Sequence, residues 1–184
     1  INLSLGSSAY TQTLARAVQH AVDRGCLLVA AAGNSGNATE TYPASIGGVI
    51  SVAATDRNDN LTIFSTYGSW VATAAPGESI LSTVPTYRTA YGIGLEYASA
   101  SGTSMACPLV AGEAALLLSH HPNLKPSEVS RFITTHVDPY VPYKSRQLAN
   151  RAGRVNVYRA LRAANGSAPT TGGLFMNTLV LGTD

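Results

Sequence analysis

The chain has 184 residues, 45% of them apolar and 12% charged, with a net charge of +2 at pH 7. That composition describes globular material able to bury one sizeable core and excludes a disordered or coiled-coil segment. The charge is too small, and the Lys and Arg too scattered, to mark a nucleic-acid or acidic-membrane surface, and no apolar stretch reaches the roughly 18 residues of a membrane span.

Ile1 to Leu5 reads as a short strand closed by Gly6. Leu14, Ala17, Val18, Ala21 and Val22 recur at helical spacing between Thr11 and Arg24, with Gly25 as the stop. Cys26 to Ala32 is a continuous apolar run, the pattern of a parallel strand covered on both faces. After a polar loop (Asn34 to Thr41) and a Tyr42-Pro43 turn, Gly48 to Ala54 predicts a second such strand. Strand, helix and strand in that order form a parallel crossover unit, so the fold class is α/β. Short strands are predicted near Thr62–Ser65, Trp70–Ala74 and Ile80–Val84, with a turn at Pro76-Gly77 and a Gly- and Tyr-rich loop over Thr86–Gly94. A long helix runs from Ser104 to about Ser119. Pro126 opens a helix to about His136, proline being favoured in a first turn, and a last helix covers Val155 to Ala164. The arginines at Arg146, Arg151, Arg154, Arg159 and Arg162 read as a solvated face. One unit is expected over 1–164, followed by a tail, 165–184, of unassigned role in which Leu174–Leu181 reads as a stray strand.

The run Gly102-Thr103-Ser104-Met105-Ala106-Cys107-Pro108 carries the clearest chemistry. Ser104 stands at a helix mouth, where free backbone N–H groups and the helix dipole favour developing negative charge. The helix is apolar nearly all round and is predicted to be buried. Serine is also a good N-cap, so on this run alone nucleophile and cap both stand. The strand Val29–Ala32 ends in Gly33-Asn34, which places an amide at the ligand-binding edge of an open α/β sheet. Asn34 can donate its side-chain N–H to an oxyanion together with the Ser104 backbone N–H. Ser4-Leu5-Gly6 offers a strand edge with which an extended peptide can pair. Cys26 and Cys107 read as buried free thiols, and His20, His120, His121 and His136 have no zinc spacing, so no metal site is expected.

Over residues 1–162 the chain resembles the subtilisin-like serine proteases (subtilases). Three blocks carry the resemblance in the family's order: Ser4-Leu5-Gly6, Ala31-Ala32-Gly33-Asn34, and Gly102-Thr103-Ser104-Met105-Ala106 with Pro108. Tyr42-Pro43-Ala44, Ala75-Pro76-Gly77 and His121-Pro122-Asn123 are similar to family sequence as well. The resemblance implies a three-layer α/β/α fold with a mostly parallel sheet. It implies an endopeptidase acting on polypeptides through an acyl-enzyme on Ser104, with Asn34 as oxyanion donor and no organic cofactor. Ser4, Leu5 and Gly6 would wall the substrate groove, Ala31, Ala32 and Gly33 line the specificity pocket, Thr41 lie near its floor, and Thr103 belong to the substrate site. The Asn-x-Ser/Thr triplets at Asn37, Asn60 and Asn165 fit an extracellular or secretory setting.

A serine hydroxyl needs a base, and the base an orienting carboxylate. The family's chain order is Asp, His, Ser, and the Asp and His segments precede the Ser-Leu-Gly strand; here Ile1, Asn2 and Leu3 precede it. None of the four histidines has the family's His-Gly-Thr context. His120 and His121 end the Ser104 helix, about 24 Å away at ~1.5 Å per residue. The chain is therefore expected to be the C-terminal part of a catalytic domain, without the N-terminal strands. Alone it is expected to be close to inactive, completed by an N-terminal segment of the same protease that supplies Asp and His. The competing reading is a non-catalytic relative that keeps the groove and only binds peptides. Leu109 and Glu113 depart from the family, which has His and a small residue there. Trp70 and Ala72 fall where relatives hold a structural cation with carboxylates, so calcium is not supported, and Asp56 and Asp59 read as a solvated turn.

Overall fold

The computed structural model describes residues 1–88, 96–140, 142, 146–149 and 152–167. At its centre β1 (Asn2–Leu3), β2 (Leu28–Ala31), β3 (Val49–Thr55) and β4 (Thr73–Pro76) form a four-stranded sheet in that order. All pairs are parallel, with Leu3 opposite Ala30, Ala31 opposite Val52 and Ala54 opposite Ala75. The crossover from β1 to β2 is α1 (Gln12–Asp23), whose Thr11 cap accepts the Leu14 N–H and whose exit is Gly25 at φ +80°. Every residue of β2 is buried, as coverage of both sheet faces demands. Toward one face Val29, Ala31, Ile50, Val52, Ala54 and Ala75 pack with α2 (Thr103–His120), α3 (Pro126–Thr135) and α4 (Val157–Ser167). Ala53 and Ala74 belong to a second cluster with Leu61, Val71 and Leu148, and α1 lies against β2.

Several boundaries differ from the sequence reading. Thr62–Ser65 is a turn, because its groups are spent on the end of β3: Thr62 N–H donates to the Ala54 carbonyl and Ser65 Oγ accepts the Ala54 N–H. Val71 N–H turns back to the Gly68 carbonyl, so β4 begins at Thr73. β5 (Ile80–Thr83) and β6 (Tyr97–Ala100) form a separate antiparallel pair. Arg154 is not part of a solvated face: its Nε lies 2.6 Å from Asp59 and its Nη2 3.0 Å from Asp138, which also pairs with Arg159 at 3.0 Å. The predicted strand Leu174–Leu181 and part of the Thr86–Gly94 loop lie outside the described residues.

The expectation that α2 is buried all round fails on one side. Ala106, Val110, Glu113, Ala114 and Leu117 are buried, whereas Pro108, Leu109, Gly112, Ala115, Leu116 and Ser119 form an exposed stripe. A helix lays one face on a sheet, and its opposite face needs another layer; no described element lies over this one. Strand β1 is likewise the outer strand of the described sheet, paired only with β2. No helix among the described residues is long and apolar enough to cross a membrane.

Candidate active site

The mouth of α2 meets the carboxyl ends of the strands through close backbone approach. A Cβ on Gly77, the residue after β4, would stand 2.6 Å from Ala54 Cβ and 2.9 Å from the Gly102 carbonyl oxygen, so only glycine lets the three segments meet. Gly102 N–H donates to the Gly77 carbonyl at 2.7 Å. Met105 and Ala106 N–H return to the Gly102 carbonyl, while Ser104 N–H is a first-turn donor without an intrahelical acceptor. Ser104 Oγ donates to the Ser4 carbonyl at 3.2 Å and Ser4 Oγ donates to the Ser104 carbonyl at 2.9 Å, a reciprocal clasp across 100 residues. One turn on, Cys107 is buried, which pushes its thiol pKa up.

Asn34 is oriented by the same helix mouth. Its Oδ1 accepts the Thr103 N–H at 2.8 Å and the Thr103 hydroxyl at 2.9 Å, and that hydroxyl accepts the Gly33 N–H at 3.1 Å. Two donors on one oxygen fix the sense of the amide and leave Nδ2 as its donor. Nδ2 lies 3.3 Å from where a Cβ on Gly102 would stand, beside the first turn of α2. Gly33 itself needs glycine: φ is +106°, and a Cβ would come within 3.0 Å of Thr66 Oγ1 and 3.2 Å of Thr41 Cγ2.

Beside Ser104 opens a cleft of about 480 Å³ between the ends of β1 and β2. Of the residues expected to bind substrate, Leu5, Gly6, Ala31, Gly33, Thr41 and Thr103 line it together with Asn34 and Ser104. Ser4 and Ala32 are not among its lining residues. Ser4 is spent on holding Ser104, and Ala32 is fully buried with its carbonyl accepting the Thr41 hydroxyl at 2.9 Å. Thr103 lines the cleft, but its hydroxyl is committed to Gly33 and Asn34. Thr41 stands between the walls, its side chain within about 4 Å of Cβ positions on both Gly6 and Gly33. The sequence reading missed Ser7, Ser8, Ser35, Asn37 and Thr39. Asn37 and Thr39 belong to the Asn37 triplet, which carries no substrate-binding signal, and the three serines belong to no motif, their only signal being adjacency to Gly6 and Asn34.

No described histidine hydrogen-bonds to Ser104. His20 is exposed on α1 and His120 ends α2, His121 Nε2 meets Asn165 Oδ1 at 2.9 Å, and His136 Nδ1 lies 3.0 Å from Thr135 Oγ1. Among the described residues no three His, Cys, Asp or Glu side chains are grouped to hold a metal ion. Burial opposes ionisation of Asp56, yet hydrogen bonds from the Asn60 side chain and the Asn60 and Asn58 backbone hold its pKa below the ordinary value. Glu113 is the opposite case: it is 2% exposed, neither oxygen has a partner, and burial lifts its pKa to about 7.

The family model for subtilases, peptidase family S8, matches residues 1–160. The chain belongs to the subtilase family. This subtilase is 44% identical over 162 residues to thermitase from Thermoactinomyces vulgaris, covering 88% of this chain and 53% of that protein. It is 47% identical over 122 residues to subtilisin BL from Lederbergia lenta, covering 66% of this chain and 42% of that one. A solved protease from Pseudoalteromonas arctica superimposes with a TM-score of 0.77 at 31% identity, over 89% of this chain and 50% of that chain. The chain thus spans about half the length of the relatives it matches, and its helices and parallel sheet have the three-layer subtilisin-like arrangement.

Proposed function

We propose that this subtilase is the nucleophile-bearing part of a serine endopeptidase that hydrolyses polypeptides through an acyl-enzyme on Ser104. The Asn34 amide carries the reading. Thr103 holds Oδ1, which leaves Nδ2 as the donor of this amide, and with the Ser104 N–H it would give two donors for the tetrahedral oxyanion. A module that only bound peptides would have no use for that pair. In the reaction, an acyl-side residue fills the cleft between Leu5–Gly6 and Ala31–Gly33. Ser104 Oγ attacks the carbonyl carbon, the negative charge develops at the oxygen facing Asn34, and the amine leaves with a proton. Water then hydrolyses the ester.

The proton acceptor comes from elsewhere in this reading, because Ser104 Oγ is bonded to a carbonyl and to no histidine. An N-terminal segment of the same protease would supply the His and its Asp, covering the exposed stripe of α2 and extending the sheet beyond β1. Loss of the base alone removes about 10⁶ in kcat in this class of enzyme, so the 184-residue chain by itself is expected to be nearly inactive. An extracellular setting agrees with the triplets at Asn37, Asn60 and Asn165. The test is fluorophosphonate labelling of the full-length protein. Ser104 should be modified, and Ser104→Ala should abolish the modification. A folded full-length protein that stays unlabelled would reject acyl transfer and leave the peptide-binding alternative.

A further inference from the structure

Arg146 reads from the sequence as part of a solvated face, but it is half-buried against the loop that follows Asn34. That loop is zipped to the turn after β3. Thr66 N–H donates to the Gly33 carbonyl at 2.9 Å and Ser35 N–H to Thr66 Oγ1 at 3.3 Å. Gly36 N–H donates to the Phe64 carbonyl at 2.8 Å, and Tyr67 N–H to the Asn37 carbonyl at 3.1 Å. The inner edge of the turn is fixed, because Thr62 and Ser65 are bonded to Ala54 near the end of β3. Its outer edge is held by Arg146. Nη1 donates to the Ile63 carbonyl, and the guanidinium lies over the Tyr67 ring, 5.3 Å from its centroid. The Ile63 oxygen is also where the turn touches the loop: a Cβ on Gly36 would stand 2.6 Å from it, and 3.6 and 3.7 Å from the two guanidinium nitrogens. Arg146 therefore meets the zipper where its two sides come closest.

The backbone beside Arg146 is pinned, so the side chain can act as a brace. Leu148 is buried with Leu61 and Val71, and its N–H donates to the Tyr140 hydroxyl at 2.9 Å. Ala149 N–H donates to the Val71 carbonyl at 3.0 Å. A planar, pre-organised guanidinium carried on such a segment fixes what it bonds. What it fixes bears on the amide. Thr103 sets the Oδ1 end of Asn34, but the position of Nδ2 depends as well on the backbone around it. Gly33 and Gly36, at φ +106° and +61°, flank Asn34 and Ser35 with two permissive joints. The freedom of those joints is removed from outside, through Thr66, Phe64 and the turn that Arg146 clamps. A donor to charge that develops only in the transition state works by placement, and a shift of about 1 Å costs on the order of 10²-fold. We infer that Arg146 is a positioning residue for Asn34: by clamping Ile63 and Tyr67 beside Gly36, it holds the loop and with it the oxyanion donor. It touches no reacting atom. The inference rests on the oxyanion reading above and adds to it a brace from a distant segment of the chain.

The test is a double-mutant cycle in the full-length protein, read as kcat and KM on one peptide anilide. Arg146→Ala in the parent should lower kcat about tenfold with KM within about twofold. In the Asn34→Ala background the same replacement should lower kcat by less than about twofold, because the donor it positions is already gone. Arg146→Lys keeps a cation and a donor for the Ile63 carbonyl, and should bring kcat back to within about threefold of the parent. If Arg146→Ala does not fold, Arg146→Gln, which keeps the stem of the side chain, carries the same cycle. Equal losses in the two backgrounds overturn the inference, since Arg146 would then act on something other than Asn34. So does an unchanged kcat in the parent background, or a loss confined to KM. A parent without activity, or an Asn34→Ala variant with undiminished kcat, overturns the oxyanion reading and this inference with it; equal losses overturn the inference alone.

Discussion

Replacing Glu113 by glutamine should remove a large part of the pH dependence of stability between pH 4.5 and 7. The carboxyl group sits on the inner side of α2 at 2% exposure with both oxygens unpartnered, and burial alone moves its pKa from 4.5 to about 7. The unfolded chain releases this proton near pH 4.5, while the folded chain holds it to about pH 7. Stability is therefore undiminished by Glu113 below pH 4.5, falls as pH rises through this interval, and levels off once both states are ionised. The gap from 4.5 to about 7, at about 1.4 kcal/mol per pH unit, makes the loss about 3 kcal/mol. Glutamine stays neutral and resembles the protonated acid in polarity and size. Glu113→Gln should thus match the parent near pH 4 and exceed it by about 3 kcal/mol at pH 8, a rise in Tm of about 6–12 °C. Urea titrations of full-length parent and variant at several pH values from 4 to 8 read the difference directly. A difference that does not change with pH would show that the carboxylate is solvated or paired, and would refute the reasoning.

Four further substitutions probe the site. Asn34→Ala should lower kcat by about 10²–10³ with little change in KM, because the lost hydrogen bond forms only in the transition state; steady-state kinetics on a peptide anilide measure it. Thr103→Val should cost about 1–3 kcal/mol in urea unfolding and lower kcat more than it alters KM, since Gly33 N–H and Asn34 Oδ1 each lose a partner; Thr103→Ser should restore both. Thr41→Gly should open the cleft floor and shift kcat/KM toward larger acyl-side residues by about tenfold, read from a panel of anilides. Gly77→Ala should lower unfolding stability by about 1–3 kcal/mol, because its Cβ would stand 2.6 Å from Ala54 Cβ.

The parts of the molecule legible in the sequence are those whose signal is local. Leu28–Ala31 reads as a strand covered on both faces because an uninterrupted apolar run has few other uses, and Thr11 and Gly25 bracket α1 as cap and exit. The places of Ser104 at a helix mouth and of Asn34 beyond a strand end are legible because such positions fix backbone geometry whatever the surroundings. Thr62–Ser65 misleads because its β-like composition is used for side-chain bonds to Ala54 rather than for a ladder. The β5–β6 pairing depends on contacts between segments that neither segment announces. Ser4 looks like a groove wall from its place in Ser-Leu-Gly, but its hydroxyl faces the Ser104 carbonyl, and direction across a strand end is set by the neighbour. The exposed side of α2 is the most instructive difference. Apolarity states which surfaces want cover; it does not say which segment provides it.

On the proposed reading, in which another segment supplies the base for Ser104, the exposed stripe bears on where that segment would dock. At 3.6 residues per turn, Ser104, Pro108, Gly112, Ala115 and Ser119 fall along one side of α2, with Leu109 and Leu116 on its flank. The opposite side of the helix is closed by the sheet, through Val52, Ala54, Ala106 and Val110. The approach past Leu5, Gly6 and Gly33 is the cleft that the proposed substrate fills. An open approach to Ser104 Oγ runs along the stripe. A segment laid there to shield Leu109, which is 44% exposed, and Leu116, at 39%, arrives at the nucleophile as a consequence of burying them. In the proposed reading one docking event would serve stability and chemistry together: the apolar contact that held the covering segment would also fix the imidazole it carried. On that reading, the coupling would be a physical reason for oxyanion donors and base to sit on different segments of the chain without the site losing its definition.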